Sequence, residues 1–482
     1  MAREVVCDCQ QDVCQCFGSL MPESIHSIIP GHLATSALRP RAKKACFVLG
    51  YARLTLPLPL KGRNMTAYID IPQIICIFAA ASLVLTAVYL LWFWCQSRGI
   101  KRCASPQGEI ITDSDSLPPL SVIVYAQNDA QNLRANLPYL LNQEYPEYEV
   151  IVVNDGRVAA DSTAIAEAGL QYHNIYETFV PEQSHNLSRK KLALMMGIKA
   201  AKHEVILTTA ANCRPTSPQW LEMMARNFVP GVEVVLGQST YDVATDTNFG
   251  RWHRFYSSLV TRMLYLGYAG RRKPYRGTSD NIAYLKSKFF ANKGFSSSMN
   301  LHHGDDDIFV NEITDSHNTR VELSAESILT ANLWNAKKIL LNNKLHHDFT
   351  SRYVKTSAFC IDKLMNAIYC LDFLAIVVLA VAAIATGLHI IRPTIPSISI
   401  LGTEAQPPTI AIIAGTAALV LLLLLTIPHT LMFGQNCKLM HEPKLRFTVP
   451  LFTLIRPIIN LRHHMRGQRY RIQNFTWQRP KK

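Results

Sequence analysis

Three long apolar runs and a middle region of shorter ones divide the chain. The runs Ile71–Cys95, Phe373–Ile391 and Ile410–Phe433 contain no Asp, Glu, Lys or Arg. An α-helix needs about 20 apolar residues to cross the hydrocarbon core of a bilayer, so each run predicts a transmembrane helix. This pattern excludes a wholly soluble protein and a disordered chain.

Basic residues after the first and third runs predict the topology. Lys and Arg cluster there at Arg98, Lys101, Arg102, Lys438, Lys444 and Arg446. The connection between the second and third runs carries only Arg392 and Glu404 as charged residues. Positively charged flanks remain on the cytoplasmic side. We therefore expect a multi-pass protein of the cell's inner (plasma) membrane, with residues 96–372 and the tail in the cytoplasm and 392–409 outside.

Residues 1–64 do not fit this topology. They would lie outside, although they contain eight Lys and Arg residues, and they begin without the apolar core of a signal peptide. They also show no clear periodicity. We predict that the native product begins at Met65 and that residues 1–64 are an upstream extension.

The tail after Gly434 mixes basic and apolar residues, and Glu442 is its single acid. Such a mixture directly after a span predicts a helix in the lipid headgroup layer, with a short soluble docking helix as the alternative. The predicted segments are an extension (1–64), a first span (66–97), a cytoplasmic domain (98–358), an interfacial segment with the second span (359–392), the third span (409–433) and the basic tail (434–482).

Short Val/Ile-rich runs alternate with helical patterns between residues 115 and 350. Strands are predicted at Leu120–Tyr125, Tyr148–Val153 and Glu204–Thr209. Near-continuous apolar strands separated by helices predict an α/β fold with a mostly parallel sheet covered on both faces. Ligands of such sheets bind beyond the carboxyl ends of the strands. The residues just after each predicted strand are therefore the candidate binding residues.

The charge balance narrows the partners. The chain has 49 Lys and Arg against 35 Asp and Glu, for a formal net charge of +14. This excess suits anionic lipid or a phosphate-bearing ligand. We predict no nucleic-acid partner, because the sequence has no zinc-finger, RNP or basic-zipper pattern. The 12 cysteines are mostly scattered, which favours a reducing compartment over a disulfide framework.

Five short stretches of the sequence form a set of motifs in a defined order and spacing. They are Leu120–Asp129, Gln143–Gly156, Ser188–Leu194, Cys213–Trp220 and His303–Asn311. With one span before them and two after, they resemble a membrane-bound family 2 glycosyltransferase of the processive-synthase-like branch over roughly residues 66–480. The resemblance implies a GT-A fold with a Rossmann-like sheet. It also implies a nucleotide-sugar donor, a saccharide or lipid-linked acceptor, Mg²⁺ or Mn²⁺, inversion at the anomeric carbon and a role in polysaccharide biosynthesis.

The resemblance assigns a base pocket to the first two strands. Asp155 would accept a hydrogen bond from the uracil imide or the ribose, although Asn-Asp-Gly is also a common turn. Tyr125 and Asp129 would line the same pocket, although Asp129 also suits a helix cap. Lys190 and Lys191 lie on a helix that the family places near the donor, and of the two we select Lys191 to meet a phosphate. A solvated charged face is the alternative.

The acidic triplet Asp305–Asp307 is the candidate catalytic group. Adjacent carboxylates repel one another, so at least one needs a raised pKa or a cationic partner. A carboxylate with a raised pKa suits a base that deprotonates an acceptor hydroxyl. By alignment with the family's Glu-Asp pair, Asp306 is the expected base and Asp305 its neighbour. The alternative is an acidic helix N-terminus stabilised by the helix dipole.

The family's Gln-x-x-Arg-Trp signature clamps the diphosphate. Its match here is Asn343–His347, in which Lys344 and His347 are the expected phosphate contacts. A neutral His holds phosphate less firmly than a bidentate Arg. A competing alignment uses Arg352 and Tyr353. Trp334 is expected to pack at the membrane-facing entrance.

The sequence departs from the family at Ala210-Ala211-Asn212. The family has two carboxylates there that bind a divalent cation, whereas Ala offers no ligand atom and Asn only a neutral carbonyl. Two hypotheses follow. In the first, an active transferase contacts its donor through Asn212 and holds the diphosphate with Arg214, Arg276 or Lys344. In the second, a degenerate relative binds a nucleotide sugar or a partner synthase without turnover.

Overall fold

The structure is a computed structural model. It describes residues 71–105, 107–113, 116–180, 187–241, 249–301, 303–332, 336–388, 399–400, 403–404, 407–443, 445 and 448–469. The predicted extension 1–64 and Trp334 lie outside the described residues.

A seven-stranded sheet forms the centre of the described domain, in the order β3-β2-β1-β4-β8-β6-β9. The strands are β1 (Leu120–Ala126), β2 (Tyr148–Asp155), β3 (Ile175–Val180), β4 (Val205–Ala210), β5 (Cys213–Pro215), β6 (Val234–Leu236), β7 (Ser239–Tyr241), β8 (Ile282–Leu285), β9 (Thr319–Val321), β10 (Leu329–Ala331), β11 (Ser399–Ile400) and β12 (Thr403–Glu404). Strands β1 to β4 are parallel, and β8 runs antiparallel between β4 and β6. The predicted α/β fold with a mostly parallel sheet is therefore confirmed.

Burial on both faces explains why the strands read as continuous apolar runs. In β1, Ile123 packs into the core on one face of the sheet, while Val122 and Val124 pack into the core on the other. Successive side chains of a strand point to opposite faces. A strand covered on both sides is therefore apolar at nearly every position and does not alternate apolar with polar residues.

Helices cover the sheet and extend the chain on both sides. They are α1 (Ile71–Cys103), α2 (Ala130–Leu141), α3 (Ala159–Gly169), α4 (Arg189–Ala200), α5 (Trp220–Ala225), α6 (Phe249–Ala269), α7 (Lys286–Ala291), α8 (Ile308–Ile313), α9 (Ala336–Thr350), α10 (Ala358–Gly387), α11 (Pro407–Leu439) and α12 (Val449–Arg469).

Three helices of the described part are long and apolar enough to cross a membrane, namely α1, α10 and α11. The three predicted apolar helices are thus present. Helix α10 begins well before the predicted start at Phe373, because two acidic residues in its first half are satisfied by neighbouring helices. Asp372 accepts hydrogen bonds from Ser82 and from Thr86 (2.6 Å for Thr86 Oγ1), and Asp362 pairs with Arg456 at 3.2 Å.

Close glycine contacts join the membrane helix α1 to α6 of the domain. A Cβ on Gly99 would strike the backbone carbonyl of Gly267, and a Cβ on Gly270 would strike the backbone of Gly99. Small residues allow two helices to approach until their backbones meet. Because α6 also contributes to the cavity described below, this contact fixes one cavity wall relative to the first span.

We expect Gly99→Ala to destabilise the protein. The added methyl group meets backbone atoms that cannot rotate away, and such overpacking costs about 1–3 kcal/mol. Gly434→Ala is the matched control, since no atom lies within 4 Å of the position that a Cβ on Gly434 would occupy. In the full-length protein in detergent, the melting temperature should fall for Gly99→Ala and stay level or rise for Gly434→Ala. Equal melting temperatures would contradict the close-contact interpretation.

Candidate functional site

A cavity of about 700 Å³ lies beyond the carboxyl ends of β1 and β4. Its floor and walls come from Tyr125, the turn after β4, the loops 276–280 and 303–306, and the helices α6, α9 and α12. Among the residues predicted for the site, the lining includes Tyr125, Asn212, Asp305, Asp306, Lys344 and His347. Asp129, Asp155 and Lys191 are not in the lining.

Tyr125 separates Asp155 from the cavity. The Tyr125 hydroxyl donates to Asp155 Oδ2 at 2.8 Å, and Arg189 Nε donates to Oδ1 at 2.7 Å. Burial raises the pKa of Tyr125 far above its ordinary value, and the Asp155 carboxylate acts in the same direction, so the phenol stays a donor. Asp155 is thus buried at the end of β2 and hydrogen-bonded to two side chains. A nucleobase that bound to its carboxylate would have to displace one of them.

Asp129 lies at the N-terminal end of α2, where the sequence offered a helix cap as its alternative role. It is the residue before α2, but its side chain makes no capping bond to the helix backbone. It accepts instead from Asn132 Nδ2 at 3.1 Å, while its own backbone N–H donates to Asp161 Oδ1 at 2.9 Å. These bonds tie the start of α2 to α3. The base-pocket role of Asp129 remains a prediction to which the geometry adds no support.

The two adjacent lysines of α4 have different surroundings. Lys190 lines the cavity, with Nζ 2.7 Å from Asp305 Oδ2 and 3.0 Å from Ser279 Oγ. Lys191 is fully buried and donates to the carbonyl oxygens of Ser298 and His303 at 2.7 and 2.8 Å. Lys191 therefore anchors the loop that leads into the acidic triplet, and Lys190 is the one of the two lysines that lines the cavity.

The first and third carboxylates of the triplet have defined partners. Burial opposes the ionisation of Asp305, yet the charge and hydrogen bond of Lys190 lower the pKa of Asp305 to about 2. Asp307 accepts from the Ile308 N–H at 2.7 Å, at the start of α8, and from the Thr350 hydroxyl. Burial raises the pKa of Asp307 above its ordinary value. The helix-capping alternative thus describes Asp307.

Asp306 lines the cavity, and two polar side chains lie close to its carboxyl group. Its Oδ2 lies 3.2 Å from His347 Nε2 and 3.6 Å from Arg276 Nη2. Burial raises the pKa of Asp306 to about 8, and the Asp307 carboxylate contributes in the same direction. Burial also lowers the pKa of His347 well below its ordinary value, so the imidazole is neutral at pH 7. The Asp306 carboxyl, with its raised pKa, therefore lies beside a neutral imidazole at pH 7.

Helix α9 places its clamp residues in the cavity. Asn343, Lys344, His346 and His347 all line it, and Lys344 Nζ donates to Ser257 Oγ of α6 at 2.8 Å. Burial lowers the pKa of Lys344 to about 7, and the nearby Arg456 acts in the same direction. The competing Arg352 is outside the lining and lies 5.9 Å from the centroid of the Phe349 ring. The geometry thus favours the alignment on Asn343–His347.

The turn after β4 does not fit a divalent cation. Ala210 and Asn212 line the cavity, and Asn212 Nδ2 donates to the Asn332 carbonyl at 3.2 Å. Ala211 is buried, with its N–H bonded to the Tyr125 carbonyl at 3.0 Å. Hard cations need charged oxygen ligands, and this turn supplies none. Over the described ranges, no cluster of three or more His, Cys, Asp or Glu residues is placed to hold a metal ion.

Arg276, one of the basic residues expected to hold the diphosphate, is buried beside Asp306. Sequence reasoning missed other lining residues: Asp280 lies near Lys190, and the rings of His303 and His346 stack with centroids 3.3 Å apart. The stacked histidines come from segments far apart in the sequence, so no local spacing could have paired them.

We expect Asp306→Asn to stabilise the protein increasingly as the pH rises. The pKa of Asp306 is about 8 in the folded state, against about 3.9 for an unfolded Asp, so the folded carboxyl retains a proton that the unfolded one has released. Stability from Asp306 is therefore lost as the pH rises from about 4 to about 8, whereas Asn does not ionise.

Melting temperatures of the full-length protein across this range test the shift. The gain from Asp306→Asn should grow toward alkaline pH, while the matched change of the exposed Glu326→Gln should show no such trend. A gain that is constant with pH would contradict a protonated Asp306.

Comparison with known proteins gives one family match and several solved structures of limited similarity. Residues 121–292 match the family described as glycosyl transferase family 2. The mannosyltransferase PcManGT from Pyrobaculum calidifontis, solved with GDP-Man and Mn²⁺, is 17% identical, with 80% of this chain and 99% of that chain covered and a TM-score of 0.46. S. aureus TarS 1–349, solved with UDP-GlcNAc, is 13% identical, with 73% and 91% covered and a TM-score of 0.34. No curated protein sequence matches. Residues 121–292 therefore resemble a family 2 glycosyltransferase domain.

Proposed function

We propose that the chain is an active membrane glycosyltransferase that moves a sugar from a nucleotide-sugar donor to a hydroxyl of a saccharide or lipid-linked acceptor, with inversion. The observation that carries this proposal is the Asp306 carboxyl, which faces the cavity with a raised pKa while Asp305 beside it stays ionised against Lys190. Neighbouring carboxyls with separated pKa values are typical of acid–base catalysis. By the charge of the flanks, the domain faces the cytoplasm.

In the proposed reaction Asp306 is the base. The acceptor hydroxyl gives its proton to the Asp306 carboxylate while its oxygen bonds to the anomeric carbon. The bond from that carbon to the diphosphate oxygen breaks, and the electron pair leaves with the nucleoside diphosphate. Attack opposite the leaving group inverts the anomeric configuration. His347, 3.2 Å from Asp306, orients the carboxylate.

The leaving diphosphate needs positive charge at the moment of departure. Lys190 and Arg276 line the cavity and supply it as fixed side chains, and Lys344, with a pKa of about 7, adds charge in its protonated form. Tyr125, which donates a hydrogen bond to Asp155, is proposed to contact the nucleobase of the donor at the carboxyl end of β1. No step of this mechanism uses the turn at Ala210–Asn212.

The second candidate function is nucleotide-sugar binding without turnover. The uncharged turn at Ala210–Asn212 favours it, because the cation that family members hold there has no carboxylate ligand in this chain. A binding protein would need the nucleobase pocket and the basic residues of the cavity. It would not need Asp306 beside a neutral His347. The two candidates differ in turnover and agree in donor binding.

We expect donor turnover without added metal. Purified full-length protein is titrated with radiolabelled UDP- and GDP-sugars in EDTA or in Mn²⁺, and both binding and donor cleavage are measured. Fixed cations in place of a metal ion predict cleavage in EDTA at a rate close to that in Mn²⁺. Binding without cleavage in either buffer would favour the second candidate, and absence of binding would contradict both.

We expect Asp306→Asn to lower turnover by about 10²–10⁴-fold, the usual contribution of a catalytic base, with donor affinity nearly unchanged. A base acts in its ionised form, so wild-type turnover should rise with pH up to about 8 and then level off. The control Glu326→Gln should keep wild-type turnover. Full activity of Asp306→Asn would remove Asp306 from the mechanism.

A further inference from the structure

Three helices give one end of the cavity a basic wall. Helices α6, α9 and α12 contribute Arg254, Arg262, Lys344 and Arg462 to the lining, and no carboxylate in the described lining comes from these helices. The acids of the lining, Asp280, Asp305 and Asp306, belong to the loops at the other side. Arg262 is engaged by the buried Glu442. The two arginines of this wall that the proposed mechanism does not use and that Glu442 does not engage, Arg254 and Arg462, thus suit a further anionic ligand.

Helix α12 also presents an apolar face outside the cavity. Leu451, Ile458, Leu461 and Met465 are 49–70% exposed. Their spacing of seven, three and four residues puts them on one side of the helix. The opposite side is buried against the domain through Phe452 and Arg456, and Arg456 pairs with Asp362 of the candidate span α10.

The candidate span α10, which contacts α12, also exposes apolar side chains. Helix α12 packs against α10, on which Leu364, Leu371 and Leu374 are 56–57% exposed. An exposed apolar stripe that adjoins a span, on a helix rich in Arg, is typical of a helix at the lipid interface. The occupant of this face is therefore membrane lipid.

Arg462 lies where the two surfaces of α12 meet. It follows Leu461 of the apolar face directly, its side chain is exposed, and it lines the cavity together with Ile459. Over the described residues, Arg462 has no carboxylate partner. A cationic side chain at the edge of a lipid-facing stripe lies at the level of phosphate headgroups.

We propose that the acceptor is a membrane lipid whose headgroup carries both a phosphate and a free hydroxyl, with the phosphate bound by Arg462 where the cavity meets the lipid. The inference rests on the proposed transferase function and names its acceptor class. The headgroup hydroxyl then reaches Asp306. Its proton passes to Asp306, its oxygen bonds to the anomeric carbon, and the nucleoside diphosphate leaves with the electron pair.

Proteoliposomes of the full-length protein test the proposal. Phosphatidylcholine vesicles are doped with phosphatidylinositol or phosphatidylglycerol, which have phosphate and hydroxyl groups, or with phosphatidylserine, which has the phosphate but no hydroxyl. A further sample has undoped phosphatidylcholine vesicles plus soluble inositol phosphate. Label from UDP- and GDP-sugars should enter the solvent-extractable lipid only with phosphatidylinositol or phosphatidylglycerol.

Variants separate the phosphate contact from general surface charge. Arg462→Gln should lower lipid labelling roughly tenfold or more, the value of a lost charged hydrogen bond, while donor binding stays unchanged. Arg462→Lys should restore part of it. Lys438→Gln, an exposed cation at the end of α11 outside the cavity, should have no effect.

The failures are distinguishable. Donor cleavage without lipid labelling, equal labelling of soluble inositol phosphate, or full labelling by Arg462→Gln overturns the lipid acceptor and leaves the transferase proposal standing. Absence of donor binding in every sample overturns the proposed function and this inference with it.

Discussion

The site depends on three consecutive carboxyl groups, of which the first and third are buried and the second is partly buried at the cavity. Three adjacent negative charges with so little contact with water would be prohibitively unfavourable, so each must be neutralised in its own way. Lys190 neutralises the first of Asp305–Asp307 by an ion pair, protonation neutralises the second, and a helix N-terminus with Thr350 satisfies the third. The proposed chemistry follows from this division, because Asp306 is the protonated carboxyl that lines the cavity, whereas Asp307 is held by the start of α8 and by Thr350 outside the lining.

The helices around the triplet are fixed by the part of the chain that resembles a membrane anchor. Helix α6 meets the first span through Gly99 and Gly267, and its Arg262 forms a buried pair with Glu442, just beyond the third span. Glu442 is the single acid of a basic tail, and the pair explains its place there. The cavity wall and the candidate spans therefore pack together, and a substitution that disrupts the packing of one should also disturb the other.

The sequence predicted the features that depend on local pattern. The sheet followed from its Val/Ile runs, since a strand buried on both faces must be continuously apolar. The selection of Lys191 over Lys190 had no basis in local sequence, because both positions follow the same cap at Ser188 and only the tertiary loop 298–303 separates their roles. The early start of α10 was hidden for the same reason, since the partners of Asp372 lie on α1.

The altered turn at Ala210–Asn212 is consistent with electrostatic balance. A site that holds a divalent cation with two carboxylates is nearly neutral before the donor binds. Loss of the cation alone would leave two negative charges facing a diphosphate, whereas loss of the cation and both carboxylates together restores the balance. In the proposed reaction the donor diphosphate meets Lys190 and Arg276 across an uncharged turn, and these cations need no ion to bind first. The missing ligands would thus change how the leaving charge is stabilised, and they leave the proposed base, Asp306, untouched.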